Sequence, residues 1–361
     1  MKRGGKMRKV LKVLLILLLV VVVAVGALLG WLTATEYDPD PVESLSPVQT
    51  GAERILSDQA ELKILSWNIG YAGLGKESDF FMDGGEHVNA ADEPAVRRYL
   101  SGIASTVQAG EYDLVMLQEV DVDSSRTFRI NEAESLAEGD AYHALNYSCP
   151  FVPNPNTLLI EPLGRINSGL LTMSEFGIER AERHALPCPF SWPLRVANLK
   201  RCLLVSYLPV EGSDRQLVLV NLHLEAYDSG EGKIAQTKQL QEFIRSEYEK
   251  GNYVIAGGDF NQVFPGSLEV YPNEHPDLWS VGVLDESFLP GEGWQYAYDT
   301  SVPTCRLLNQ PYDPSDTENT QYYVIDGFIL SPNVELVSVN SLDMRFENSD
   351  HNPVSLCVRL K

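Results

Sequence analysis

Cysteine is scarce in this chain: there are five in 361 residues. The odd number and wide spacing of Cys149, Cys188, Cys202, Cys305 and Cys357 exclude a disulfide framework and a paired-cysteine zinc site. One bridge among them is compatible with the sequence, which does not choose it. Positive charge is scarce too, with 28 Lys and Arg against 50 Asp and Glu and a net charge of −22. Six of those bases lie in residues 1–35, which hold no acid, so the remaining chain is more acidic still. Such a body repels polyanions at long range, which argues against a generic nucleic-acid surface and leaves room for a focused, metal-neutralised site. There is no internal repeat, and no low-complexity tract apart from one apolar run.

That run, Val13 to Leu32, follows Lys2, Arg3, Lys6, Arg8, Lys9 and Lys12. Its roughly 20 residues at about 1.5 Å each match the thickness of a bilayer hydrocarbon core. It exceeds the roughly 7–15 apolar residues of a cleaved signal, so it reads as a retained transmembrane helix. Bases before the span and acids after it place residues 1–12 in the cytoplasm and the rest outside. Residues 33–61, with Asp38-Pro39-Asp40-Pro41, read as an extracytoplasmic tether. The 44% hydrophobic content of the chain provides a sizeable core for one large domain over residues 62–361.

The domain opens with a strand, Leu62 to Ile69, that delivers Asn68 near its end. Residues 74–92 read as a polar surface loop. After Pro94, the spacing of Val96, Tyr99, Leu100, Ile103 and Val107 predicts an amphipathic helix packed on a sheet. Asp113 to Val120 is a buried-strand pattern that carries Glu119, a carboxylate costly to bury unless paired or metal-bound. Strand, helix, strand in this order indicates an α/β domain. Residues 121–165 are harder to read, with Pro150, Pro153, Pro155 and Pro162 marking loops. Strands are expected at 169–173, 201–207 and 216–224, the last holding His223 between leucines. A second helix over Lys233 to Lys250 leads into Tyr253 to Asn261, where Gly257 and Gly258 precede Asp259 and Asn261. In an extended segment Asp259 and Asn261 would face one side and address one ligand. A long insert, 262–323, includes Trp279 and Trp294. It is followed by an apolar strand around Asp326 and by Asp350-His351, an oxygen ligand beside a proton-transfer group. Taken singly, these polar residues also fit turn caps and satisfied core positions.

Their order is more telling than any one of them. Ser66-Trp67-Asn68, Gln118-Glu119, Asn221-Leu222-His223-Leu224, Gly257-Gly258-Asp259-Phe260-Asn261, Ile325-Asp326-Gly327 and Ser349-Asp350-His351-Asn352-Pro353-Val354 follow one another along the chain. This pattern resembles the endonuclease/exonuclease/phosphatase superfamily, which includes deoxyribonuclease-like nucleases, neutral sphingomyelinases and inositol polyphosphate phosphatases. The resemblance implies a four-layer α/β sandwich of two packed mixed β-sheets with outer helices, here preceded by one transmembrane helix. It also implies Mg²⁺, with Mn²⁺ as an alternative, and a phosphoester substrate. By the same resemblance Glu119, Asn68 and Asp350 form or adjoin the metal shell. Asp259 and Asn261 orient water and phosphate, His223 contacts the scissile phosphoryl group, and Asp326 orients the catalytic His351.

The expected activity is hydrolysis of a phosphodiester or phosphomonoester by direct water attack, by an enzyme anchored in the membrane through residues 13–32. Its substrate is expected to be lipid-linked or small. A surface nuclease acting on DNA or RNA is the alternative, disfavoured by the acidic body. A catalytically silent binding module would have lost some of these positions, and all are filled. Arg195, Lys200 and Arg201 read as solvated surface charge, with a basic rim to the site as the other reading.

Overall fold

The computed structural model describes residues 3–89, 91–154, 160–228, 230–279, 281–316 and 318–361, with side chains from Met7 onward. Lys2 and Pro155 lie outside these residues. Helix α1 (Arg3–Ala34) leads into β1 (Val42–Ser44), β2 (Pro47–Gln49) and β3 (Glu61–Asn68). Then come α2 (Glu93–Ala109), β4 (Leu114–Asp121), α3 (Glu132–Leu136), β5 (Asp140–Val152), β6 (Gly164–Ser174), β7 (Arg180–Ala185), β8 (Cys202–Pro209) and β9 (Gln216–His223). After α4 (Glu231–Glu249) follow β10 (Tyr253–Asp259), β11 (Gln262–Val263), α5 (Ser267–Val270), β12 (Gly282–Val283) and β13 (Gln295–Ala297). The chain ends with β14 (Cys305–Arg306), β15 (Tyr322–Tyr323), β16 (Asp326–Leu330), β17 (Val334–Ser341) and β18 (Val354–Leu360).

Two seven-stranded sheets form, in the orders β1-β7-β8-β9-β10-β16-β13 and β17-β18-β3-β4-β6-β5-β2. Each is mixed, because β9 runs parallel to β10 and β3 parallel to β4 while their other neighbours are antiparallel. A parallel pair needs a crossover, and α4 and α2 supply it on the two outer faces. Helix α2 is capped by Asp92, whose carboxylate accepts from the Ala95 amide at 2.9 Å. Its buried Val96, Tyr99 and Ile103 pack on Leu65, Trp67 and Leu117 of one sheet. Leu240 and Ile244 of α4 pack on Val218 and Val220 of the other. Between the sheets, Ile64, Met116 and Leu356 meet Leu204, Leu219 and Phe328 in a third core. The result is four layers, helix, sheet, sheet, helix, as the motif order implies.

Three segments depart from the sequence reading. The expected tether is part of the body: β1 pairs with β7 and β2 with β5, adding an edge strand to each sheet. Its low apolar content hid this, since edge strands are held by backbone pairing. Residues 140–152 form the long strand β5, its pattern obscured by polar residues and a register irregularity. Of the expected surface loop, Leu74, Ser78 and Asp79 are buried. The buried Arg306 guanidinium donates to the carbonyls of Gly75 (3.0 Å) and Ser78 (3.1 Å). The 262–323 insert contributes β13 to a sheet edge and two short ribbons, β11 with β12 and β14 with β15. All five cysteines are free.

Glycine is required at position 258, where φ is +144° and a Cβ would stand 1.9 Å from the Leu222 carbonyl oxygen. Gly258→Ala is therefore expected to destabilise the chain by about 3 kcal/mol or more. Thermal unfolding of the full chain in detergent measures this; an unchanged midpoint would contradict the packing of β10 on β9.

Candidate active site

The strand directions gather the polar motif residues at one edge of the paired sheets. Asn68 ends β3 opposite Gln118 of β4, and Asp259 ends β10 opposite both His223 of β9 and Asp326 of β16. Glu119 follows Gln118 in a bulge where β4 slips against β6, with φ +56°. Asp350 and His351 immediately precede β18, which lies beside β3. A surface cavity lined by Arg54, Gln108, Tyr112, Asp113 and Glu138 lies at the other end of β4 and holds none of these groups.

Asn68 is the hub. Its Nδ2 donates to Glu119 Oε1 at 3.0 Å and to Asp259 Oδ2 at 3.0 Å, joining one sheet to the other. The same nitrogen lies 3.4 Å from His351 Nε2. Its Oδ1 accepts from the Gly70 amide at 3.0 Å. Asn68 thus turns its amide nitrogen, rather than its oxygen, toward Glu119.

His351 is anchored from three sides. Its carbonyl accepts from Trp67 Nε1 at 2.8 Å, and its amide donates to Ser349 Oγ at 3.1 Å. Its Nδ1 is 2.9 Å from Asp326 Oδ2. Thr304 Oγ1 in turn accepts from the amides of Ile325 and Asp326, fixing the carboxylate's backbone. The opposite nitrogen, Nε2, looks toward Asp259 Oδ2 at 3.8 Å and Asp350 Oδ2 at 4.0 Å. Burial disfavours the charged ring, but the Asp326 carboxylate, aided by Asp350, overcomes it and holds His351 well above the ordinary histidine range.

His223 is its opposite. Burial, then the positive charges of Arg201 and His351, hold it well below the usual range, so it is neutral. Its Nε2 is 3.4 Å from Asp259 Oδ2. Burial and the neighbouring Asp326 push Asp259 up to about 7, against the pull of His351 and the bonds from Asn261 and Asn68. Burial pushes Asp350 up to about 7 as well, with His351 opposing and Glu119 adding.

Asn261 sits differently from the extended reading. Strand β10 stops at Asp259, and Asn261 has φ +50°, with its amide donating to Asp259 Oδ1 at 2.8 Å. This is an Asx turn, and the Asn261 Nδ2 donates to the Leu224 carbonyl at 2.9 Å. Nor are the three basic residues a rim. Arg201 is buried, paired with Glu225 at 3.3 Å and donating to the His223 carbonyl at 3.1 Å. Arg195 and Lys200 both grip Glu36, at 2.9 and 3.0 Å.

The sequence reading gave no role to several other residues that surround the site. Gln118 donates to Asn221 Oδ1 at 2.8 Å, a second polar link between the sheets. Asp121 forms a two-bonded pair with Arg126 at 2.9 and 3.0 Å, and the Arg126 guanidinium lies 3.4 Å over the Tyr71 ring. A buried acid at the end of an apolar strand was the available signal for Asp121, as for Glu119. Asp83 accepts from the Tyr227 hydroxyl at 3.1 Å, and burial pushes its carboxyl up to about 6. In a polar loop no pattern marks such a residue.

Two sets of side chains place potential ligand atoms within 4.8 Å of one another: Cys305, Asp350, His351 and Asp259, Asp326, His351. Burial pushes the Cys305 thiol up to about 12, so it offers no thiolate. In the second set, the imidazole nitrogen facing Asp326 already carries a proton. The donors that remain are carboxylate oxygens, Asp350 in the first set and Asp259 and Asp326 in the second. That chemistry fits a hard dication such as Mg²⁺ or Mn²⁺.

The profile of the Endonuclease/Exonuclease/phosphatase family matches residues 65–351. The chain belongs to that family. Its members are hydrolases acting on phosphoesters. No curated protein sequence matches the chain. An endonuclease/exonuclease/phosphatase from Beutenbergia cavernae is similar in structure, with TM-score 0.53 and 17% identity, over 83% of this chain and 72% of that one. ANGEL2, a 2',3'-cyclic phosphatase solved with adenosine-2',3'-vanadate, gives TM-score 0.52 and 15% identity, over 84% and 96%. A family protein from Bacteroides thetaiotaomicron gives 0.50 and 15%, over 84% and 99%. At these identities the likeness is one of fold.

Arg126 is the sole charge-paired partner that the described residues give the buried Asp121. Arg126→Met, which strands that carboxylate, is expected to lower stability by about 3–5 kcal/mol. Urea unfolding of the full chain in detergent reads the loss, and a change under ~1 kcal/mol would contradict the pairing.

Proposed function

We propose that this chain is a membrane-anchored hydrolase that cleaves a phosphodiester or phosphomonoester by direct attack of water, with a divalent cation, Mg²⁺ or Mn²⁺, as cofactor. The observation that carries the reading is the buried ring of His351, 2.9 Å from Asp326 and 3.8 Å from Asp259, with Asp326 favouring the charged form of the ring and burial raising Asp259 to about 7. A carboxyl near neutrality accepts a proton from water, and a fixed cation stabilises negative charge building on phosphoryl oxygens. Asp259 is thus the general base and His351 the stabilising cation. His223, neutral and turned toward Asp259, completes the phosphoryl contact. Glu119 and Asp350 would hold the dication, with Asn68 keeping Glu119 in place. When bound, it supplies Lewis-acid polarisation of the phosphoryl group.

Helix α1 includes a segment, Met7–Ala34, long and apolar enough to cross a bilayer. With bases preceding it, the reading keeps the N-terminus cytoplasmic and the catalytic body outside. The nuclease alternative differs in one measurable way, a steep dependence on salt.

The test is hydrolysis by the full chain in detergent on a panel of phospholipids, inositol phosphates, DNA and RNA. Activity with Mg²⁺ is expected to vanish with chelator and to fall about 1,000-fold in His351→Ala. Activity that survives chelation would sink the cofactor assignment. Asp326→Asn adds a sharper expectation. Losing the carboxylate lets burial pull His351 down to or below the ordinary value of ~6.5, so the charge is lost as pH rises. The variant's rate should fall above about pH 6.5 while the native chain keeps its cation through neutral pH. Parallel pH–rate profiles would contradict the assigned role of His351.

A further inference from the structure

The membrane helix and the reaction centre lie at the same end of the molecule. Leu32, near the end of α1, is buried against Tyr147, Cys149, Val152, Leu163 and Val196. Those residues include the end of β5 and flank the start of β6. Ser168 of β6 pairs with Tyr147 on one side and with Asp121, two residues past Glu119, on the other. The anchor therefore docks on the sheet edge that carries the catalytic groups.

No slack separates anchor from body. Thr33 Oγ1 accepts from Trp192 Nε1 at 3.0 Å, and Glu36 is held by Arg195 and Lys200. Leu28 already packs against the body. The uncharged apolar helix left for the bilayer, Val13 to Ala27, is about 22 Å long, short of the ~30 Å hydrocarbon core, which draws the body up against the membrane. The body consequently sits on the membrane surface.

Two large apolar side chains stand exposed beside the helix base. Trp192 and Leu194 are 56% and 67% exposed. A three-residue turn, Phe81–Asp83, joins this base to the site: Phe81 packs against the anchor cluster, Met82 is 43% exposed, and Asp83 binds the Tyr227 hydroxyl. Asp83 also lies close enough to Glu119 to feel its charge. Indole and aliphatic side chains beside a membrane span partition into the interfacial layer, where phosphate headgroups lie.

We propose that the catalytic mouth opens onto the bilayer, with Trp192, Leu194 and Met82 seated in the interfacial layer, and that the substrate is a phosphoester carried by a membrane lipid. The substrate half rests on the hydrolase reading above; the docking half rests only on its membrane-anchor part. The acidic body disfavours a polyanion arriving from solution, whereas a lipid headgroup is delivered by lateral diffusion to a mouth held at its own height.

The full chain, reconstituted in vesicles of phosphatidylcholine and phosphatidylglycerol, tests both halves. Brominated phosphatidylcholine should quench the Trp192 emission, taken as the difference between the native chain and Trp192→Phe. With Mg²⁺, hydrolysis of the vesicle phospholipids should fall about fivefold or more in the Trp192→Ser/Leu194→Ser double variant. Hydrolysis of soluble bis(4-nitrophenyl) phosphate should not change. An unquenched Trp192 overturns the docking surface. Equal losses on both esters, or cleavage of the soluble ester alone by the native chain, overturn the lipid substrate. If the native chain cleaves neither ester, the hydrolase reading fails, and the quenching alone decides the docking surface.

Discussion

The buried contact of His351 with Asp326, among further carboxylates, is the interaction on which this structure turns. Burial disfavours the charged ring of His351; Asp326, 2.9 Å away, favours it. The pair works only if both members are immobile, since a charge freed to move would be quenched by water or by another acid. Immobility comes from strands. Asp326 is the first residue of β16, secured by Thr304, and His351 is held through its backbone by Trp67 and Ser349.

The two-sheet architecture follows from the same need. One sheet carries Asn68 and Glu119, the other His223, Asp259 and Asp326. Polar side chains buried between sheets are tolerated only when paired, and Asn68 with Asp259 and Gln118 with Asn221 provide those pairings. Each link costs desolvation and returns positional precision: sheets sliding by one residue would unmake every contact at once. The rest of the interface is apolar, so the sandwich is stabilised by Ile64, Met116, Leu204 and Phe328 while its edge gathers the polar groups.

Much of this was legible in the sequence, and the exceptions share a cause. Polar residues in or at the end of apolar strand patterns drew attention to Asn68, Glu119, Asp259 and Asp326, where a buried acid is costly, and the order of the motifs, more than any one residue, marked them as a set. The helical spacing around Val96 and Tyr99 was equally plain. Alternation failed at Asn261, since a left-handed residue breaks the period of two and the motif continues past the end of its strand. It failed also for β1 and β2, whose side chains face solvent on an edge, and for Arg201, whose burial depends on Glu225, distant in the chain. Asp83 and Tyr227 meet only through tertiary folding, 144 residues apart. No local pattern encodes such a contact.

The charge on His351 is the most direct point of attack on this picture. ¹⁵N NMR of the full chain in detergent, labelled at its six histidines and assigned with His351→Gln, reports the protonation of each ring nitrogen. At neutral pH both nitrogens of His351 should carry protons while His223 shows one protonated and one bare nitrogen. A His351 ring with a bare nitrogen at that pH would contradict the buried imidazolium and with it the division of labour between Asp259 and His351.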